Sequence, residues 1–169
     1  MLWRINESRR HRVAIKDEDK GSGLLISINM CLNVIVLLLF AFSGITRLPS
    51  WVFFLGIGVL SAGILLRLWS VAVLGRYFSG AIGVQEEQTV VDRGPYRLVR
   101  HPSYSGGLLQ VIGLAFVSQT WGSLLVLIPL FGVVFSYRIH VEEEFLTSKL
   151  GDAYVAYSKR TKRLIPYIL

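Results

Sequence analysis

The chain has 169 residues, a single-domain length, of which 53% are hydrophobic and 17% charged, with a mean hydropathy of +0.53. Soluble domains carry about 25% charged residues, so this composition excludes an ordinary water-soluble domain and points to surface solvated by lipid. The net charge of +7 does not indicate nucleic acid, because the basic residues fall in alternate polar segments. Arg4, Arg9, Arg10, Arg12, Lys16 and Lys20 precede the first apolar run, and Arg76, Arg93, Arg97 and Arg100 lie mid-chain. Arg138 closes the last apolar run and Lys149, Lys159, Arg160, Lys162 and Arg163 follow it in the tail, leaving only Arg47 in a short connection and Arg67 inside an apolar run. That is the positive-inside distribution of a membrane protein. The single cysteine, Cys31, permits neither an intrachain disulfide nor a cysteine-based zinc cage, and no metal site is expected.

After a polar segment over residues 1–23, the first apolar stretch occupies 24–46. At 1.5 Å per residue it is long enough to cross a hydrocarbon layer about 30 Å thick. Its long charged leader, with no small-x-small cleavage site after the apolar run, reads as a retained helix rather than a signal peptide. A second stretch covers 51–74, entered through Pro49 and Ser50 with Trp51 at the membrane–water interface. Within it Gly58 and Ala62 form a small-xxx-small pair suited to close approach of another helix. Arg67, about 12 Å from the end of this helix, either snorkels to the interface or lines an acceptor channel.

Residues 75–101 form the one long polar segment. A third, short apolar stretch (102–118) and a fourth (121–139) are separated only by Gln119 and Thr120, which requires a tight antiparallel hairpin. Pro129 is expected to kink the fourth helix. The tail is expected to continue that helix and end in a basic, aromatic-tipped segment, 159–167, on anionic headgroups. The expected architecture is all-α and integral to the membrane, with about four transmembrane helices. Both termini, the 75–101 loop and the active site face the cytoplasm at the inner membrane. Residues 24–75 hold two transmembrane helices, and in the core over 76–169 the loop and tail close a cofactor pocket.

Three polar clusters abut the membrane, where such groups are costly. In Arg100-His101-Pro102-Ser103-Tyr104-Ser105-Gly106, Pro102 belongs in the first helical turn, which puts His101 at the cap with Ser103 and Tyr104 at the helix mouth. The free N–H groups there suit an anionic group, although a basic membrane flank with an ordinary cap explains the same residues. Arg138 lies four residues before Glu142, on one face, and Glu142, Glu143 and Glu144 oppose the helix dipole unless a cation compensates. Nearby arginines can do this, and so can a positively charged ligand. The third cluster is the loop 85–96, with amides, hydroxyls and a Gly-Pro turn. The hairpin forces the first two clusters together, a pattern of a functional site.

Gly94-Pro95-Tyr96, Arg100 to Gly106, Arg138-Ile139-x-x-Glu142-Glu143-x-x-Leu146, Gly151-x-x-Tyr154-x-x-Tyr157 and Leu164-Ile165-Pro166 together resemble the isoprenylcysteine carboxyl methyltransferase family. Asp19-Lys20-Gly21-Ser22 resembles its prokaryotic integral-membrane members. The resemblance, over about residues 74–166, implies an S-adenosylmethionine-dependent methyltransferase. Its cofactor contacts carry over to Gln85, Gln88, Thr89, Val90, Val91, Tyr96, His101, Pro102, Ser103, Tyr104 and Glu142. Arg138 matches the arginine that holds the substrate carboxylate, and the resemblance implies Arg138 and Glu142 as the catalytic residues. Two departures stand out: Gln88 replaces a histidine of eukaryotic members, and this chain is shorter than they are.

The implied partners are membrane lipid and a lipophilic small-molecule or lipidated acceptor, most simply a carboxylate, with an amine or thiol as other possibilities. A carboxylate is already ionised at neutral pH, and methyl displacement depends on proximity and exclusion of water. Two other readings fit the same core: an NADPH-dependent membrane reductase of the sterol-reductase type, and a non-catalytic membrane ligand-binding protein.

Overall fold

The computed structural model describes residues 19–78 and 89–166. Among them every regular element is helical: α1 (Ser22–Ser43), α2 (Val52–Leu74), α3 (Pro102–Val117), α4 (Gly122–Leu150) and α5 (Asp152–Arg160), with short 3-10 turns at Gly75–Tyr77 and Gly94–Arg97. The spans Ser22–Ser43, Val52–Tyr77 and Gly122–Leu150 are long and apolar enough to cross a membrane. Helix α3, at 16 residues, rises only about 24 Å, short of a full crossing. Phe42 is 86% exposed and Phe54 73%, a surface that suits hydrocarbon and not water.

The helices pair as α1 with α4 and α2 with α3, both antiparallel. Ser22 meets Arg138 at one end of the first pair, and a Cβ on Gly122 would strike Phe40 at the other. In the second pair, glycines let the backbones touch. A Cβ on Gly63 would lie 2.7 Å from the Gly106 carbonyl oxygen, and one on Gly113 2.5 Å from the Leu60 nitrogen. The expected contact through Gly58 is therefore displaced, since Gly58 has nothing within 4 Å of a Cβ. The close face is Gly56 and Gly63, seven residues apart, where two helical turns return to the same side.

A four-residue link joins α3 to α4, the short connection the sequence requires. It is stitched to the α1–α2 link by Leu48 N–H donating to Gln119 O at 2.8 Å and Trp121 N–H to Thr46 O at 3.2 Å. The core between the pairs is Val111, Leu127, Phe131 and Phe135, with Ile26, Val36, Leu37 and Tyr104 against it. Helix α4 runs without interruption through Pro129. The tail does not simply continue it: Gly151 at φ 56° breaks the chain direction before α5, a conformation that favours glycine.

The start of α1, the end of α2, the start of α3 and the end of α4 consequently meet at one end of the molecule. The C-terminal strand-like segment closes that end. Arg100 N–H donates to Lys162 O at 2.7 Å and His101 N–H to Arg163 O at 3.0 Å, and Ser105 Oγ donates to Leu164 O at 2.5 Å. Residues 161–165 thus pack back on the mouth of α3.

Candidate active site

His101 occupies the N-cap of α3 and Pro102 its first turn, as the sequence requires, and this fixes the direction of Tyr104. The His101 and Tyr104 rings stack with centroids 5.5 Å apart, 9° from parallel. Tyr104 also meets the edge of Phe135 at 5.1 Å. Its hydroxyl donates to Glu142 Oε2 at 2.7 Å and accepts from Arg138 Nε at 3.2 Å. Arg138 and Glu142 are thus joined through Tyr104.

Arg138 is 3% exposed. Its Nη1 donates to Ser22 Oγ at 2.6 Å and to Asp19 Oδ1. Asp19 also takes the Ser22 hydroxyl proton at 3.1 Å and the Gly23 N–H at 2.7 Å, which satisfies a first-turn donor of α1. Burial raises the Asp19 carboxyl, but the Gly23 N–H and the Arg138 guanidinium outweigh it and hold the group below its ordinary value.

The three consecutive glutamates have different surroundings. Glu143 accepts from Arg100 Nε at 2.7 Å and Arg163 Nε at 3.1 Å, with His101 Nε2 at 3.3 Å. Glu144 pairs with Lys20 at 2.8 Å on the surface. Glu142 is 3.8 Å from His101 Nδ1 and, among the described residues, meets no lysine or arginine directly. It faces a cavity of about 380 Å³.

Thr89, Val90, Val91, Tyr96, His101, Ser103, Tyr104, Arg138 and Glu142 all line that cavity. Pro102 instead sits buried at the helix start, where it orients His101. Gln85 and Gln88 lie outside the described residues. Tyr154 and Tyr157 also line the cavity; the Tyr157 hydroxyl donates to Tyr96 O at 2.8 Å, while that of Tyr154 is buried with no partner among the described residues. Burial, reinforced by Glu142 and Tyr157, pushes the Tyr96 phenol up. Burial, helped by Asp92, moves Tyr157 to about 12. Both rings therefore remain neutral donors at physiological pH. Further in, the walls become Val34, Leu37, Leu114 and Phe131, so one cavity runs from a polar mouth into an apolar interior.

The model for the family described as phospholipid methyltransferase matches residues 51–153, more than half of the chain. The chain belongs to the phospholipid methyltransferase family. Protein-S-isoprenylcysteine O-methyltransferase B of Arabidopsis thaliana is 29% identical over 154 residues, covering 87% of this chain and 78% of its own length. The Schizosaccharomyces pombe protein-S-isoprenylcysteine O-methyltransferase is 32% identical over 114 residues, covering 66% of this chain and 48% of its own. A solved eukaryotic intramembrane Ras methyltransferase, isoprenylcysteine carboxyl methyltransferase, aligns with a TM-score of 0.70 at 23% identity over 85% of this chain and 52% of that one. That likeness shows a shared membrane fold, of which this chain spans about half the length. This family member is a multi-pass membrane methyltransferase.

Asp19 was identifiable in the sequence only as part of a resemblance, without a role. The partnership of Glu143 with Arg100 and Arg163 carried no signal, because it depends on a tail folding back. Asn29 and Asn33, one turn apart in an apolar helix, did carry one: both line the cavity.

Proposed function

We propose that this protein transfers a methyl group from S-adenosylmethionine to a lipophilic acceptor, an isoprenylcysteine-like carboxylate, at the cytoplasmic face of the inner membrane. The observation that carries the reading is the apportioning of the glutamates. Glu143 and Glu144 are neutralised by arginines and a lysine, whereas Glu142 turns its carboxylate to the cavity. A half-buried carboxylate that meets no lysine or arginine among the described residues is poised for a cationic ligand.

The rest of the mouth fits such a donor. Tyr96 and Tyr104 offer aromatic faces, worth about 0.5–2 kcal/mol to a cation, and the Tyr154 hydroxyl is buried without a partner among the described residues beside a cavity within the usual ligand-site range. S-Adenosylmethionine, when bound, supplies a methyl group on a sulfonium open to in-line displacement. Thr89 to Val91 and His101 to Tyr104 are the proposed cofactor contacts, with Gln85 and Gln88 carried over from the family resemblance.

Within the chain, Tyr104 fixes the Glu142 carboxylate. Arg138 holds the Tyr104 hydroxyl, and Asp19 and Ser22 hold Arg138. Arg138 enters the proposal as a positioning residue, since its Nε and Nη1 donors go to these partners. The apolar interior keeps water from the acceptor, and a carboxylate acceptor needs no general base.

Calorimetric titration of S-adenosylhomocysteine into detergent-purified protein tests the reading. Micromolar binding by wild type, weakened at least about tenfold (about 1.4 kcal/mol) by Tyr104→Ala and by Glu142→Ala, is expected. Absence of binding by folded wild type overturns it, and binding of NADPH instead would establish the reductase reading.

A further inference from the structure

Helix α1 contributes Ile26, Asn29, Met30, Asn33, Val34 and Leu37 to the cavity wall. All but the two asparagines are apolar, as a span in hydrocarbon requires. Asn29 and Asn33 are four residues apart and so stand on one face of the helix. Ser22, level with Arg138 through their hydrogen bond, marks the polar mouth. Along the helix the two amides lie about 10 and about 16 Å beyond it. Polar groups at that depth are expensive and need a reason.

Packing within the fold does not supply that reason. Asn29 is 2% exposed, and the side-chain oxygens of Asn29 and Asn33 are both buried without a partner among the described residues. Arg67 and Gln110 line the same cavity and give them no hydrogen bond. Other polar side chains in these helices satisfy themselves one turn back. Ser27 Oγ donates to Gly23 O at 3.0 Å and Ser70 Oγ to Leu66 O at 2.7 Å. Among the described residues neither asparagine makes such a bond. Two buried acceptors thus stand open on one wall of the cavity, and a buried acceptor left unpaired destabilises a protein unless something donates to it.

We propose that Asn29 and Asn33 form a hydroxyl-recognition subsite: the acceptor carries a hydroxyl midway along its lipophilic tail, and that hydroxyl donates to the asparagine oxygens inside the membrane-embedded part of the cavity. The proposal rests on the methyltransferase reading and narrows its acceptor from any lipophilic acid to a hydroxylated one. The chemistry of the pair selects the group. An anion would meet carbonyl oxygens, and a cation finds a full charge only at Glu142, nearer the mouth. A neutral hydroxyl both donates and accepts, so the amide NH2 groups can return a bond to it. A site built to bond a hydroxyl rejects the analogue that lacks it, because its own buried groups are then left unpaired. The depth of the pair places the hydroxyl well away from the reacting end of the acceptor.

The test uses full-length protein in dodecyl maltoside, with cis-parinaric acid as a fluorescent reporter. Its competitors are octadecanoic acid and its 2-hydroxy and 12-hydroxy derivatives, the last placing the hydroxyl at about the depth of the pair. Wild type is expected to bind the 12-hydroxy acid at least about tenfold tighter than the other two. The double variant Asn29→Leu with Asn33→Leu should erase that preference and keep its affinity for octadecanoic acid. Its S-adenosylhomocysteine affinity should be unchanged, and its Tm without ligand should hold or rise, since the substitutions remove unpaired oxygens. Lack of preference in wild type, or a preference that survives the double substitution, overturns the proposal. So does a fall in Tm in both single variants, which would show that the fold itself uses these amides. If the double variant does not fold, the single variants decide by the same ratio, and an unchanged ratio in both overturns. Displacement of the 12-hydroxy acid by dioctanoylglycerol at matched concentration also overturns it, marking a neutral-lipid site. Failure of wild type to bind S-adenosylhomocysteine removes the methyltransferase reading, while the hydroxyl preference is still read on its own.

Discussion

The Tyr104 hydroxyl donates a 2.7 Å hydrogen bond to Glu142 Oε2, tying the first turn of α3 to the C-terminal half of α4. Tyr104→Phe preserves the stack on His101 and the edge contact with Phe135 while removing this bond. A hydrogen bond to a charged group contributes about 1.5–3 kcal/mol, so S-adenosylhomocysteine affinity should fall about tenfold or more. Because both residues act through one bond, Tyr104→Phe and Glu142→Gln should be strongly non-additive in a double-mutant cycle. Calorimetry on the four proteins decides it, and additive losses would show that Tyr104 does not position Glu142.

The Asp19–Arg138 pair sets an acid limit on stability. The Asp19 carboxyl lies below its ordinary value in the folded protein. Its contribution is therefore complete above that value and is lost as pH falls through the lower folded value. Thermal unfolding in detergent should be level from near-neutral pH down to about pH 5 in respect of this pair, and Tm should drop below about pH 4. Asp19→Ala strands a buried guanidinium and should lose about 3 kcal/mol at pH 7, with a weaker acid dependence. Lys20→Ala, which breaks only the exposed contact to Glu144, should leave Tm within error.

The legible parts of this molecule are those that depend on local chemistry. Apolar runs of sufficient length gave the spans, and Pro102 set the start of α3 and so the aim of His101 and Tyr104. The short Gln119–Thr120 connection brought two polar clusters together. What was hidden depended on which helix faces which. The Gly58–Ala62 spacing is a valid packing signal, yet α2 rotates so that Gly56 and Gly63 meet α3 instead. Arg138 and Glu142 at four-residue spacing share one face and are able to pair; in the fold a tyrosine from another helix and an aspartate more than a hundred residues away take the Arg138 Nε and Nη1 donors. Arg67 fits two readings by sequence, and its place beside Gly107 in the cavity wall depends on how α2 packs on α3.

The α2–α3 contact makes a contrast between glycines of the same helices. Gly113→Ala would put a methyl 2.5 Å from the Leu60 nitrogen, a backbone atom that cannot swing away, and should cost about 1–3 kcal/mol. Gly58→Ala meets nothing within 4 Å and gains about 1 kcal/mol in helix propensity, so Tm should hold or rise. Thermal unfolding of both variants checks this, and equal destabilisation would place Gly58 in the interface after all.

Glu143 should act as the latch of the C-terminal segment. Its two oxygens take Arg100 and Arg163, and the same two arginine neighbourhoods supply the backbone bonds from residues 100 and 101 to residues 162 and 163. Glu143→Gln keeps the shape and removes the charge, so the charge-assisted bonds weaken by about 1.5 kcal/mol or more in total. The segment then opens locally more often, without unfolding α4. Limited trypsin digestion should cleave after Lys162 or Arg163 roughly tenfold faster than in wild type, since about 1.4 kcal/mol is tenfold in an opening equilibrium. S-Adenosylhomocysteine affinity should fall with it, because the opened segment no longer holds the His101 backbone at the mouth of α3. Faster cleavage with unchanged affinity would mean that the segment covers the mouth without shaping the pocket.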